Sequence, residues 1–306
     1  MRRFWPLLLF VVMLAVVLLR PDNEQSLPAT DADHHYQRII SLSPSITEMV
    51  FAIGLGNRLI AVTDYCDYPP AAKALPKVGG YVDTSLEAVV VLQPDLVIML
   101  KGQQKLQQQL QQLGISTHSV DNSTLLGIQA AIASIGNLTG QQQQAETLLE
   151  DIQQQINSVT DKVAGLEPVR TLISIAHYVN SEQLDTVYVA GQNDFYNDLL
   201  LLAGGENVFT SRHIMVPSIS AEGIIRMNPD VIIDVFPEQD DHYSDMQQVK
   251  KQWQTLSHVN AVKSGRVHII QHSYASVPGP RIFRLLPEFA QLLHPNLDWD
   301  ENQFDD

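Results

Sequence analysis

The residues able to do chemistry are scattered along this chain, and the scatter excludes most enzymes. Across 306 residues there is no G-x-S-x-G turn to raise a nucleophilic serine. There is no G-x-x-x-x-G-K-[ST] loop to cradle phosphates and no H-E-x-x-H helix to hold zinc. Of the ten histidines, His34 and His35 are adjacent, while His177, His213, His242, His258, His268 and His272 lack the spacing of a ligand set. Cys66 is the single cysteine. That leaves no intramolecular disulfide and no multi-cysteine zinc or iron–sulfur site, and a small buried thiol is expected. Neither catalysis nor a resident cofactor or metal is expected.

The chain offers tyrosines expected in loops after strands instead. Tyr65 and Tyr68 flank Cys66-Asp67 ahead of Pro69-Pro70, and Tyr81 follows Gly79-Gly80. Tyr188 precedes Gly191, and Tyr274 lies in the Ser273–Gly279 stretch before Pro280-Arg281. In open α/β sheets ligands settle outside the carboxyl ends of strands. Tyrosines there present a flat apolar face and a polar tip, suited to a bulky, partly polar ligand. Arg281 is the candidate cation beside them.

An internal repeat indicates what must position these residues. Ser85-Leu86-Glu87 through Gln93-Pro94-Asp95-Leu96-Val97-Ile98 recurs 135 residues later as Ser220-Ala221-Glu222 through Asn228-Pro229-Asp230-Val231-Ile232-Ile233. A period this long describes two related lobes, not a solenoid. In each copy a serine caps a short helix with a glutamate in its first turn, the helix stops ahead of proline, and a β-branched run forms a buried parallel strand. Upstream, Arg38–Leu42 and Thr171–Ala176 read as strands, followed by helices starting near Ser43 and Asn193 and ending at Gly54 and Gly204. Gly54-x-Gly56 follows a helix and lacks a third glycine, so it is not a dinucleotide loop. The fold class is α/β, with two Rossmann-like lobes.

Between the lobes, Leu149, Ile152, Ile156, Val159 and Val163 make a narrow apolar stripe in a segment free of proline and glycine from Gln141. About 24 helical residues form a rod of about 36 Å, long enough to cross both lobes. A dimerising coiled coil is the alternative, disfavoured by a stripe under three heptads long. The organisation expected is an export signal or anchor (1–20), a polar linker (21–37), a first lobe (38–140), the bridging helix (141–166), a second lobe (167–296) and an acidic, solvated tail (297–306). Arg2 and Arg3 precede a 16-residue apolar run, which marks export; cleavage and tethering both remain open. A charge of −15 argues against binding nucleic acid by phosphate neutralisation.

Four segments in this order carry a family resemblance: Arg38–Glu48, Tyr65-Cys66-Asp67-Tyr68-Pro69-Pro70, Leu86-Glu87 with Leu92–Ile98, and Gly204-Gly205-Glu206-Asn207-Val208-Phe209. From about Arg38 to His294 the chain resembles the periplasmic binding proteins for cobalamin, ferric siderophores and haem. The resemblance implies two α/β lobes bridged by one long helix, and a monomer that delivers a metal chelate to an ABC permease dimer with its ATPase subunits. By position, Glu87 and Glu222 resemble the carboxylates that dock on the permease. Among family members the cobalamin binders are most similar. Tyr65 matches a ligand-facing tyrosine there, and Tyr81, Tyr188 and Tyr274 stand where they carry tryptophan, phenylalanine and tryptophan. Val216 replaces another tryptophan. Cobalamin is therefore favoured, with a ferric siderophore or haem as alternatives and a membrane-tethered ligand sensor as a second reading.

Overall fold

The computed structural model describes residues 36–179, 183–236 and 246–299. The expected export segment and nearly all of the polar linker lie outside the described residues, as does the tail from residue 300. Among the described residues no helix is long and apolar enough to cross a membrane.

The first lobe runs β1 (Ile39–Ser41), α1 (Pro44–Ala52), β2 (Leu59–Val62), α2 (Leu86–Val91), β3 (Leu96–Leu100), α3 (Gln104–Gln112), β4 (Ser116–Val120) and α4 (Leu125–Thr139). Its four strands pair in parallel in the order β2-β1-β3-β4. The helix α5 (Gln142–Val163) follows. The second lobe continues with β5 (Val169–His177), β6 (Thr186–Val189), α6 (Phe195–Leu202), β7 (Gly205–Asn207), β8 (Ser218–Ser220), α7 (Ala221–Met227), β9 (Val231–Val235), α8 (Met246–Gln254), α9 (Asn260–Lys263), β10 (Val267–Ile270) and α10 (Leu285–Leu293). Its sheet has the order β10-β9-β5-β6-β8, with β6 antiparallel to its neighbours and β7 beside the amino half of β5.

Successive residues of the central strands feed different cores, as a sheet covered on both faces requires. Leu96 and Ile98 of β3 join one cluster while Val97 and Met99 join another. In β9, Val231 and Ile233 join the cluster that holds Leu96, whereas Ile232 packs with Val187, Val249 and Trp253. The shared cluster also contains Ile152, Ile156, Val159 and Val163, four of the five stripe residues of α5, with Leu149 packed against it. The bridging helix thus lies against α4 of the first lobe and against α6 and α10 of the second. One continuous core joins both lobes.

The repeat folds as a repeat. Ser85 Oγ accepts from Ala88 N (3.2 Å) and Ser220 Oγ from Gly223 N (3.3 Å), capping α2 and α7. Both helices end on a left-handed residue at equivalent positions, Gln93 (φ 48°) and Asn228 (φ 45°). An arginine then closes each end. Arg38 donates to the carbonyls of Leu92 (2.6 Å) and Gln93 (3.0 Å), and Arg170 to those of Met227 (2.8 Å) and Asn228 (3.1 Å). The guanidinium fork satisfies carbonyls that a helix end leaves without intrahelical partners.

Two expectations are corrected. Tyr188 is not in a loop but within β6, a four-residue strand too short and too close to glycine to be recognised by pattern. The start of the tail is not solvated: Leu297 packs on the core, and Trp299 is buried with its indole nitrogen donating to His294 O (3.0 Å).

Two carboxylates sit where the start of α6 meets the start of α4. Asp198 accepts from Leu125 N (2.9 Å) at the start of α4, and buried Asp194 caps α6 by accepting from Tyr196 N (2.8 Å). Burial pushes the Asp194 carboxyl up to about 7, with Asp198 adding to the rise. A carboxyl raised in the folded state costs nothing below its unfolded pKa, and its ionisation penalty grows as pH climbs to the folded value. Asp194→Asn keeps the cap and removes the charge. The variant is expected to melt with the wild type at pH 4 and a few degrees above it at pH 8, read by thermal denaturation across that range.

Candidate ligand-binding site

The carboxyl edges of the two sheets meet, and a buried ion pair marks the meeting. Glu48 lies on α1, which begins directly after β1; Arg281 lies in the 3-10 turn Pro280–Arg284 that ends the segment leaving β10. Arg281 Nε and Nη2 donate to Glu48 Oε2 (3.0 Å) and Oε1 (2.5 Å), and Nη1 to Ser273 Oγ (3.3 Å). Only 11% of the Arg281 side chain and 4% of that of Glu48 is exposed. Burial pushes the Glu48 carboxyl up, and the hydrogen bonds and charge of Arg281 oppose the rise. Gly279 lets the chains approach: a Cβ there would sit 3.3 Å from both Glu48 Oε2 and Ser45 O.

Aromatic rings surround this pair. Tyr68 lies 3.5 Å from the Arg281 guanidinium carbon, measured to its ring centroid, and Tyr274 lies 5.6 Å away. Tyr274 also stacks on His272 (centroids 5.0 Å, 7° between planes), which faces Glu288 at 3.4 Å. The cation expected from Arg281 is therefore already matched by a carboxylate and covered by a phenol ring. Its charge is not a free anchor for an anion.

In the first lobe, Tyr65 follows β2 and is 74% exposed. Gly80 passes beneath its ring, with a Cβ position 3.9 Å from Cε2. Tyr81, 44% exposed, stands at the tip of a loop tied to the start of α2. Gly80 N donates to Asp83 Oδ1 (3.1 Å), Thr84 Oγ1 donates to Gly80 O (2.6 Å), and Gln103 Nε2 donates to Tyr81 O (2.9 Å). The Tyr81 hydroxyl reaches the glycine that follows β3, 3.4 Å from a Cβ position at Gly102. Tyr65 and Tyr81 thus stand in the segments that follow β2, with the Tyr81 hydroxyl beside the glycine after β3. Tyr188 on β6 and exposed Val216 in the segment leading into β8 lie instead on the second lobe.

The repeat glutamates Glu87 and Glu222 are both exposed in the first turns of α2 and α7. Cys66 is buried against the hydroxyls of Thr63 (3.0 Å) and Thr47 (3.2 Å), the small buried thiol expected. Among the described residues no three His, Cys, Asp or Glu side chains gather as a metal site. Sequence reading missed Glu48 as a site residue, although an acid inside the apolar stretch of α1 signals that a cation must be supplied from elsewhere.

Removing one member of a buried ion pair strands the other. Arg281→Met is expected to cost about 3 kcal/mol or more in urea denaturation at pH 7.5. The loss should shrink as pH falls, because burial already raises the Glu48 carboxyl and lets it take up a proton, and be partly recovered in the Glu48→Gln/Arg281→Met double variant.

Known proteins share this architecture. A family model described as periplasmic binding protein matches residues 39–274. A vitamin B12-binding protein of Yersinia pseudotuberculosis is 30% identical over 231 residues, covering 75% of this chain and 76% of that protein. The periplasmic vitamin B12-binding protein BtuF of Vibrio cholerae superposes with a TM-score of 0.72 at 25% identity, covering 85% of this chain and 98% of that one. The periplasmic haem-binding protein HutB of the same organism gives 0.68, also at 25% identity, over 82% and 98%. Folded as two α/β lobes joined by a bridging helix, this chain belongs to the periplasmic binding protein family.

Proposed function

We propose that the protein is the substrate-binding component of an ABC importer, holding cobalamin between its lobes in the periplasm and handing it to an inner-membrane permease dimer. The observation that carries the choice of ligand is the neutralised floor. Arg281, the cation sequence reading placed in the cleft, is spent on Glu48. What then remains at the rim are the rings of Tyr65, Tyr81, Tyr188 and Tyr274. Such a surface favours a bulky amphipathic ligand of little net charge over an anionic ferric siderophore or a haem with two propionates. The name of the Yersinia relative supports the same ligand. Haem is the second reading. The Vibrio haem binder is as similar in sequence as its cobalamin counterpart, and the exposed phenol of Tyr65 could serve as an axial donor.

Titration of intrinsic fluorescence with cyanocobalamin, haemin and a ferric hydroxamate separates these ligands. Saturable quenching by cyanocobalamin at the lowest concentration is expected. Tight binding of haemin alone, with a Soret shift lost in Tyr65→Phe, would replace cobalamin with haem.

Docking is assigned to Glu87 and Glu222. Each stands on a helix whose start is capped by serine and whose end is clamped by arginine, so the two carboxylates are held on rigid mounts. Charge reversal at both (Glu87→Arg/Glu222→Arg) is expected to abolish uptake in cells while leaving ligand affinity within about twofold. Unchanged uptake would remove the docking role, and a tethered sensor would then be the better reading.

A further inference from the structure

A second aromatic on the second lobe's wall is exposed by an irregularity in β5. Between Ser174 and Ala176 the register against β6 slips: Ser174 pairs with Val189 but Ala176 with Tyr188, so β5 carries one extra residue. Beyond that bulge the faces are fixed by pairing. His177 is opposite Val187, which is opposite Ile219 of β8, and all three turn into the core with Phe236 and Trp253. Ala176, Tyr188 and Ser218 share the other face. Strand alternation puts Tyr178 on that face too, diagonal to Tyr188 and within reach of an aromatic side chain. Hydrogen bonds from Val189 N to Pro217 O (3.0 Å) and from Gly191 N to Met215 O (2.8 Å) hold the segment before β8 alongside β6, which brings exposed Val216 to the same wall.

The flanking groups are anchored, which separates Tyr178 from an idle surface residue. Its neighbours His177 and Val179 are both buried. His177 Nε2 lies 3.0 Å from Asp234 Oδ2, which also accepts from the indole of Trp253 (2.5 Å). Gln252 on α8 donates to the Tyr178 carbonyl (2.9 Å). On this fixed backbone the ring is 72% exposed. It stands at the carboxyl end of β5, two strands in from β10, whose own carboxyl end leads to Arg281 and the meeting with the first lobe. A preorganised aromatic whose ring is left uncovered at a ligand-bearing edge loses little freedom on binding.

We propose that Tyr178 is a specificity-determining residue of the cleft, completing with Tyr188 and Val216 a diagonal apolar shelf against which one face of a large ring-shaped ligand lies. The inference rests on the proposed function. Its test is equilibrium titration of wild type, Tyr178→Ala and Tyr178→Phe with cyanocobalamin and with haemin, melting temperature confirming that each variant folds. Tyr178→Ala is expected to weaken the tighter of the two ligands at least tenfold, and Tyr178→Phe to stay within about twofold of wild type, because the ring and not the hydroxyl makes the contact. Wild type binding one of them while Tyr178→Ala binds it equally well would overturn the shelf and leave the function standing. A Phe variant as weak as the Ala variant would overturn the stacking role. Wild type binding neither would overturn the functional reading together with the inference.

Discussion

A single stripe of apolar side chains on α5 is what allows two sheets to behave as one molecule. Ile152, Ile156, Val159 and Val163 lie in the same core as Ile98 of the first sheet and Ile233 of the second. The desolvation that folds each lobe therefore also fixes the spacing between them. A linker of equal length without that stripe would leave two domains free to drift, since polar interfaces alone hold domains loosely. The floor of the site inherits this constraint. Glu48 and Arg281 are 233 residues apart in sequence, yet two donor nitrogens meet two carboxylate oxygens at hydrogen-bonding distance, a bidentate fit that tolerates little misplacement.

The electrostatics of the site follow from that pairing. An arginine placed alone between two lobes would attract anions; the same arginine held by a buried glutamate and covered by Tyr68 presents little charge outward. The overall acidity of the chain, −15, acts in the same direction. On the proposed reading, selection among ligands falls to shape and to aromatic area, in which tyrosine hydroxyls supply the polar component.

Much of this was legible in the sequence because it is local or repeated. The 135-residue offset anticipated α2–β3 and α7–β9, and the spacing of Ile152, Ile156, Val159 and Val163 anticipated α5 to within a residue of its start. What escaped was set by distant partners. Arg38 and Arg170 could be seen as residues near strand starts, but the carbonyls they clamp lie 54 to 58 positions away. Tyr188 was misplaced because β6 is only four residues long and runs against the parallel pattern around it. Glu48 looked like part of a helix start, since nothing in its neighbourhood names the cation that makes its burial tolerable. Trp299 was read as tail because acidic neighbours mask one aromatic that turns back onto the core.

The bulge in β5 has a consequence for how such proteins diversify. The way β5 absorbs one extra residue decides that, of the residues as they stand, an imidazole goes inward and a phenol outward at the end of that strand. Were the same residues paired without the bulge, the parity of every position after Ser174 would invert, and the wall would present an imidazole where it now presents a phenol ring. A one-residue slip in pairing would then change what the wall offers, with no substitution of the side chains themselves.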